Sequence, residues 1–142
     1  MSGNRIFVDT NILVYAHDTD AGVKHRLARE RITELWQQPH PPIISIQVLQ
    51  EFFTTLLRRG IATAAADEIV RNYLLWEVVD NDSTLFREGL AMRQRYQMSP
   101  WDAWIVAAAI HAKADSLWSE DLATGQHYDK VLVVNPLLDR NK

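Results

Sequence analysis

Cysteine is absent from this chain of 142 residues. That excludes disulfides, thiolate zinc sites and a cysteine nucleophile, and it fits a reducing compartment. Glycine is scarce, with five residues. None of them builds a P-loop, a Gly-x-Gly-x-x-Gly turn or a Gly-x-Ser-x-Gly elbow. The five histidines (His17, His25, His40, His111 and His127) never fall at His-Glu-x-x-His spacing. Long apolar runs are missing too. The most apolar stretch, residues 104–110, falls far short of the ~20 residues of a membrane span. The N-terminus reaches Asp9 without the apolar core of a signal peptide. A cytoplasmic protein is expected.

What is present describes an ordinary folded chain, 47% apolar and 23% charged. Its length suits a single domain over residues 1–142, burying roughly two-thirds of the unfolded surface. The 15 Lys and Arg against 18 Asp and Glu give a net charge of −3, which argues weakly against a nucleic-acid partner. Four acids attract attention, and with those four of the 18 set aside, 15 basic groups face 14 acidic ones. The balance therefore permits a phosphate-bearing substrate.

Short apolar segments at residues 5–8, 43–45, 76–79, 116–119 and 131–134 read as strands. Helices are expected over residues 11–16, 22–38, 47–59, 63–75, 84–96 and 99–114. Thr63 and Ser83 or Thr84 are the expected caps of the fourth and fifth helices, and Pro39, Pro41 and Pro42 break the second. Strands alternating with helices predict an α/β fold with a mostly parallel sheet of about five strands. Ligands of such sheets bind outside the carboxyl ends of the strands.

The four acids sit near that edge. Asp9 ends the first apolar run and Asp121 follows the fourth. Glu51 and Asp102 lie in helices that start from the same side. Each has an ordinary alternative. Asp9 is a plausible helix cap. Glu51 flanks the apolar face of its helix beside Leu49, Phe52 and Phe53. Ser99-Pro100-Trp101-Asp102 reads as a capped helix start, with the acid favoured by the helix dipole. Strand alternation turns Ser119 and Asp121 inward and leaves Glu120 at the surface. Gathered like charges repel by a few kcal/mol per pair in a partly buried site, and a divalent cation is the usual compensation. Oxygen-only ligands suit Mg²⁺ or Mn²⁺. Such ions activate water and stabilise a phosphodiester under in-line attack.

Several segments, in order, resemble the PIN-domain ribonucleases, and among them the VapC toxins of bacterial and archaeal toxin–antitoxin pairs. They are Phe7-Val8-Asp9-Thr10-Asn11-Ile12-Leu13, Ser45-Ile46-Gln47-Val48-Leu49-Gln50-Glu51-Phe52, Asp102-Ala103-Trp104-Ile105-Val106-Ala107-Ala108-Ala109 and Trp118-Ser119-Glu120-Asp121-Leu122, followed by Gly125-Gln126 and Asn135-Pro136. The resemblance implies a three-layer α/β/α sandwich and a Mg²⁺- or Mn²⁺-dependent endoribonuclease. Asp9, Glu51, Asp102 and Asp121 match its acidic quartet, and Thr10, Asn11 and Ser119 its polar supporting residues. It also implies a homodimer, an RNA substrate and a small VapB-type antitoxin. A non-toxin RNA-processing nuclease and a non-catalytic nucleic-acid-binding module are the alternatives. Arg58, Arg59, Arg93, Arg95 and Lys113 are candidate RNA contacts. Trp101, Trp104 and Trp118 are expected mainly in the core, although Trp101 is also placed to stack on a base.

Overall fold

The computed structural model describes residues 4–138. Five strands form where short apolar runs are expected: β1 (Ile6–Val8), β2 (Ile43–Ser45), β3 (Glu77–Val79), β4 (Ser116–Trp118) and β6 (Val131–Val134). A sixth, β5 (His127–Tyr128), pairs antiparallel with β6. It has only two residues and no apolar run to announce it. Its hairpin turns at Asp129, whose φ of 51° lies in the left-handed region that Asp tolerates better than most residues.

The sheet order is β3-β2-β1-β4-β6-β5, and every pairing except β5–β6 is parallel. Among the described residues six α-helices accompany it: α1 (Thr10–His17), α2 (Val23–Trp36), α3 (Ile46–Arg58), α4 (Thr63–Tyr73), α5 (Ser83–Tyr96) and α6 (Pro100–His111). Helices α1 to α4 connect β1, β2 and β3, which step outward in one direction. Helices α5 and α6 carry the chain back across to β4. Right-handed crossovers put these two groups on opposite faces of the sheet. Accordingly α1 packs with α2 and α3, α3 with α4, and α5 with α6. The result is the three-layer α/β/α sandwich expected, with six strands instead of about five.

Burial explains why these segments hold. Phe7, Val8, Ile43, Ile44, Leu117 and Val133 are sealed in the sheet. Val48, Leu49, Phe52 and Leu56 form the inward stripe of α3. Helix α6 buries Ala103 and residues 105–109, small side chains that let it lie close to its neighbours. Several helix ends differ from expectation: α2 stops at Trp36 and α4 at Tyr73, short of residues 38 and 75, and three others have a visible local cause. Thr63 is the first helical residue of α4 and not its cap, because Ala62 precedes it and accepts the Ala66 N–H. Asp82 caps α5 in place of Ser83 or Thr84, accepting from the Leu85 N–H at 2.8 Å. Helix α6 stops at His111, before residue 114, as Lys113 turns to φ 57°.

Strands β1 and β4 are neighbours whose connections leave in opposite directions. A crevice opens outside the carboxyl ends of such a pair. Here Asp9, directly after β1, lines it, and Ser119, directly after β4, lies buried behind Asp9. No helix among the described residues is long and apolar enough to cross a membrane.

Candidate active site

The crevice is an open cleft of about 470 Å³, and its walls include Asp9, Thr10, Asn11, Glu51, Asp102 and Asp121. All four sequence-predicted acids therefore face one space. Each arrives by a different local rule. Asp9 caps α1, accepting the Thr10 N–H at 2.7 Å. Glu51 projects from the second turn of α3, whose start is fixed by Ser45 accepting from the Val48 N–H at 3.2 Å. Asp102 stands in the first turn of α6, where Ser99 accepts its N–H at 3.2 Å. Asp121 lies in the loop after β4. Capping and site membership thus coincide at Asp9. At α6 the cap is Ser99, which leaves the Asp102 carboxylate free to face the cleft.

Neutral donors link the acids. The Thr10 hydroxyl donates to Glu51 at 2.7 Å. The Asn11 amide donates to Asp121 at 3.0 Å and lies 3.5 Å from Asp9. The Ser119 hydroxyl donates to Asp9 at 2.8 Å and accepts from the N–H groups of Asp121 and Leu122. The three supporting residues therefore each span two parts of the site. Gln47, which the sequence did not single out, extends the chain. Its buried amide donates to the Trp101 carbonyl at 3.2 Å and to Glu51 at 3.4 Å. It ties α3 to the start of α6. Its position one helical turn before Glu51 was the only signal that could have marked it.

Electrostatics set this cleft apart. Asp9 is 5% exposed, and its carboxyl is raised from 3.8 to about 6. Burial is the main cause. The bonds from Ser119 and Thr10 oppose it, and the charges of Asp121 and Glu51 add to it. No salt bridge among the described residues reaches Asp9, Glu51, Asp102 or Asp121. The α1 and α6 N-termini offer partial positive charge, which offsets a carboxylate only in part. Among the described residues no three His, Asp or Glu side chains are gathered tightly enough to hold an ion as they stand; Thr10 and Asn11 stand between them. The donor chemistry nevertheless suits a hard cation: every carboxylate is an oxygen donor, and none has a cationic partner.

The neighbours of the site correct several expectations. Glu120 is not a surface acid. It is half-buried, accepting from Tyr15 and pairing with Lys24, each at 2.7 Å. Burial alone would raise its carboxyl, but the bonds from Lys24 and Tyr15 leave it lowered. Its backbone N–H also donates to Asn11 at 3.2 Å, so this residue anchors the loop that carries Asp121. Trp118 is in the core as expected and Trp104 is half-buried, whereas Trp101 is exposed. Of the basic candidates, Arg58 and Arg59 line the cleft and Arg93, Arg95 and Lys113 do not. Arg95 pairs instead with Asp129 at 3.0 Å, and Arg59 pairs with Asp18. His111 lies near Glu88 at the surface.

The family described as PIN domain matches residues 6–127. No curated protein matches the sequence significantly. Among solved structures, VapC20 of Mycobacterium tuberculosis, a toxin that cleaves the sarcin–ricin loop, is 23% identical; the alignment covers 82% of this chain and 89% of that one, with a TM-score of 0.66. A toxin–antitoxin complex from Klebsiella pneumoniae is 20% identical over 92% of this chain and 97% of that one, with a TM-score of 0.69. VapBC2 from Rickettsia felis, bound to promoter DNA, is 16% identical over 90% and 96%, with a TM-score of 0.63. At these identities the structural likeness establishes a shared fold.

Proposed function

The chain belongs to the PIN-domain family, and from that premise we propose that it is a Mg²⁺- or Mn²⁺-dependent endoribonuclease of the VapC type. One observation carries the reading: four carboxylates face one cleft at the switch point of the sheet, and the three that accept hydrogen bonds, Asp9, Glu51 and Asp121, accept them from neutral donors. Such an arrangement costs stability unless a cation completes it.

Asp9, Glu51, Asp102 and Asp121 would hold the ion. When bound, it supplies Lewis acidity to the scissile phosphodiester and to the attacking water. The chain's own part is positioning. Thr10 orients Glu51, Ser119 orients Asp9, and Asn11 orients Asp121. Gln47 sets the distance between α3 and α6 by holding both Glu51 and the Trp101 carbonyl. Arg58, on the cleft wall, meets the phosphate chain of an RNA strand. No protein nucleophile is required.

The toxin role, a VapB-type antitoxin and a homodimer complete the proposal. Structural neighbours described as toxin–antitoxin complexes support the antitoxin. The homodimer rests on the family resemblance. End-labelled RNA incubated with the purified protein should be cut at internal sites with Mg²⁺ or Mn²⁺ and left intact with EDTA. Asp9→Asn should leave it intact under both conditions. RNA uncut by the wild type at any concentration of either ion, or cut equally by Asp9→Asn, would refute the nuclease. Expression alone should arrest growth, with relief from a co-expressed small antitoxin; normal growth would assign the nuclease to RNA processing instead.

A further inference from the structure

Trp101 immediately precedes Asp102 in the first turn of α6, yet it is 63% exposed. An indole at that exposure forgoes most of the burial its size offers. Its surroundings hold it there. The ring meets Trp104 edge-on, with centroids 5.2 Å apart, and Trp104 stacks on Phe86 at 5.3 Å. Trp104 is itself fixed, donating its indole N–H to the Phe86 carbonyl at 3.2 Å. It sits in a slot that exists because residue 89 is glycine: a Cβ there would lie 1.9 Å from the Trp104 ring. The Trp101 carbonyl is held by Gln47. A bulky ring is thus presented to solvent on a fixed base, and little conformational freedom is left to lose on binding.

Trp101 borders two spaces. One is the acidic cleft, and the other is a recess shared with Phe86, Trp104 and Gln50. The acidic cleft also holds Arg58. Its guanidinium donates to the Thr55 hydroxyl at 2.9 Å, and it has no carboxylate partner among the described residues, unlike Arg59 with Asp18. One continuous cleft therefore presents an exposed indole, four acids and a cation without an acidic partner. Aromatic faces that accept a base and cations that track phosphates are the two elements of single-strand recognition.

We propose that Trp101 is a stacking platform for a nucleobase of single-stranded RNA next to the scissile bond, with Arg58 holding a phosphate of the same strand. This rests on the nuclease reading and adds a substrate-positioning residue to it. Stacking tolerates any base, so the platform selects unpaired RNA over duplex and not one sequence over another.

The test combines binding and kinetics. In the Asp9→Asn background, anisotropy of a labelled single-stranded oligonucleotide reads binding without cleavage. Trp101→Ala should weaken binding about tenfold or more and Trp101→Phe should restore most of it, as loss and return of one stacked base predict. Arg58→Ala should flatten the dependence of affinity on salt. In cleavage with Mn²⁺, Trp101→Ala should raise KM more than it lowers kcat. An abasic substitution at the stacked position should weaken the wild type and leave Trp101→Ala unchanged. Unchanged binding and KM in Trp101→Ala would overturn the platform while wild-type cleavage left the nuclease standing. Binding that needs Trp101, without cleavage by the wild type, would do the reverse. A shift in elution volume of Trp101→Ala on size exclusion would assign the ring to a protein interface and overturn the platform.

Discussion

Acidic side chains meet two fates in this fold. Away from the cleft many find cations, Glu77 taking Arg5, Glu120 Lys24, Asp18 Arg59, Asp67 Arg71 and Asp129 Arg95, and others such as Asp82 and Asp115 accept backbone N–H groups. In the cleft, Asp9, Glu51 and Asp121 find only hydroxyl, amide and backbone donors, and Asp102 uses its N–H but shows no bond to its carboxylate. Even Glu120 and Asp121, adjacent in sequence, divide this way. The first kind of acid is satisfied by the fold. The second is held in place by the fold without a cationic partner, and this difference is what the proposed cation site rests on.

The contrast can be broken most forcefully at the acids themselves. Asp9→Asn or Asp102→Asn should cost several kcal/mol of transition-state stabilisation, about a thousandfold in cleavage rate, with circular dichroism unchanged. A variant cutting RNA at the wild-type rate would place that acid with the structural ones. One step out, Thr10→Val and Ser119→Ala remove the donors that orient Glu51 and Asp9. Each should weaken metal affinity or activity by about 10- to 100-fold, read as a rightward shift in the Mn²⁺ dependence of cleavage.

Acid titration sharpens the same contrast in the metal-free protein. The Asp9 carboxyl rises from 3.8 to about 6 on folding, so between these values the folded state binds more protons than the unfolded one. The stability this confers is complete below pH 3.8 and is lost as the pH rises through about 6. Denaturant titrations from pH 4 to 7 should show this decline superimposed on the other groups, and Asp9→Asn should remove it. Smallest of all, Glu77→Gln breaks a half-exposed pair and should change stability by about 0–1 kcal/mol. It should leave cleavage untouched. A large fall in rate would mean that the two classes of acid are not distinct.

Much of this was legible in the sequence because buried strands announce themselves: residues 43–45 and 131–134 are apolar runs with few alternatives. Strand-end logic placed Asp9 and Asp121, and helix starts placed Glu51 and Asp102, at one edge. What stayed hidden depends on tertiary contact. Strand β5 exists only through its pairing with β6. Glu120 became half-buried because Tyr15 and Lys24 reach it from α1 and α2. Trp101 has the composition of a core residue, and only the Trp104–Phe86 stack filling the space beside it shows why it stays outside. Gln47 is an ordinary helix glutamine until Trp101, 54 residues away, is folded against it.

The central claim is that the cleft acids form one cation site, and Mn²⁺-dependent thermal stabilisation tests it most directly. Titration of the metal-free wild type and of Glu77→Gln should raise Tm along a saturating curve. Asp9→Asn should begin at a higher Tm near neutral pH, since it removes a costly buried charge, and should gain far less with Mn²⁺, as should Asp102→Asn. No stabilisation of the wild type, or an equal gain in all four proteins, would contradict the account.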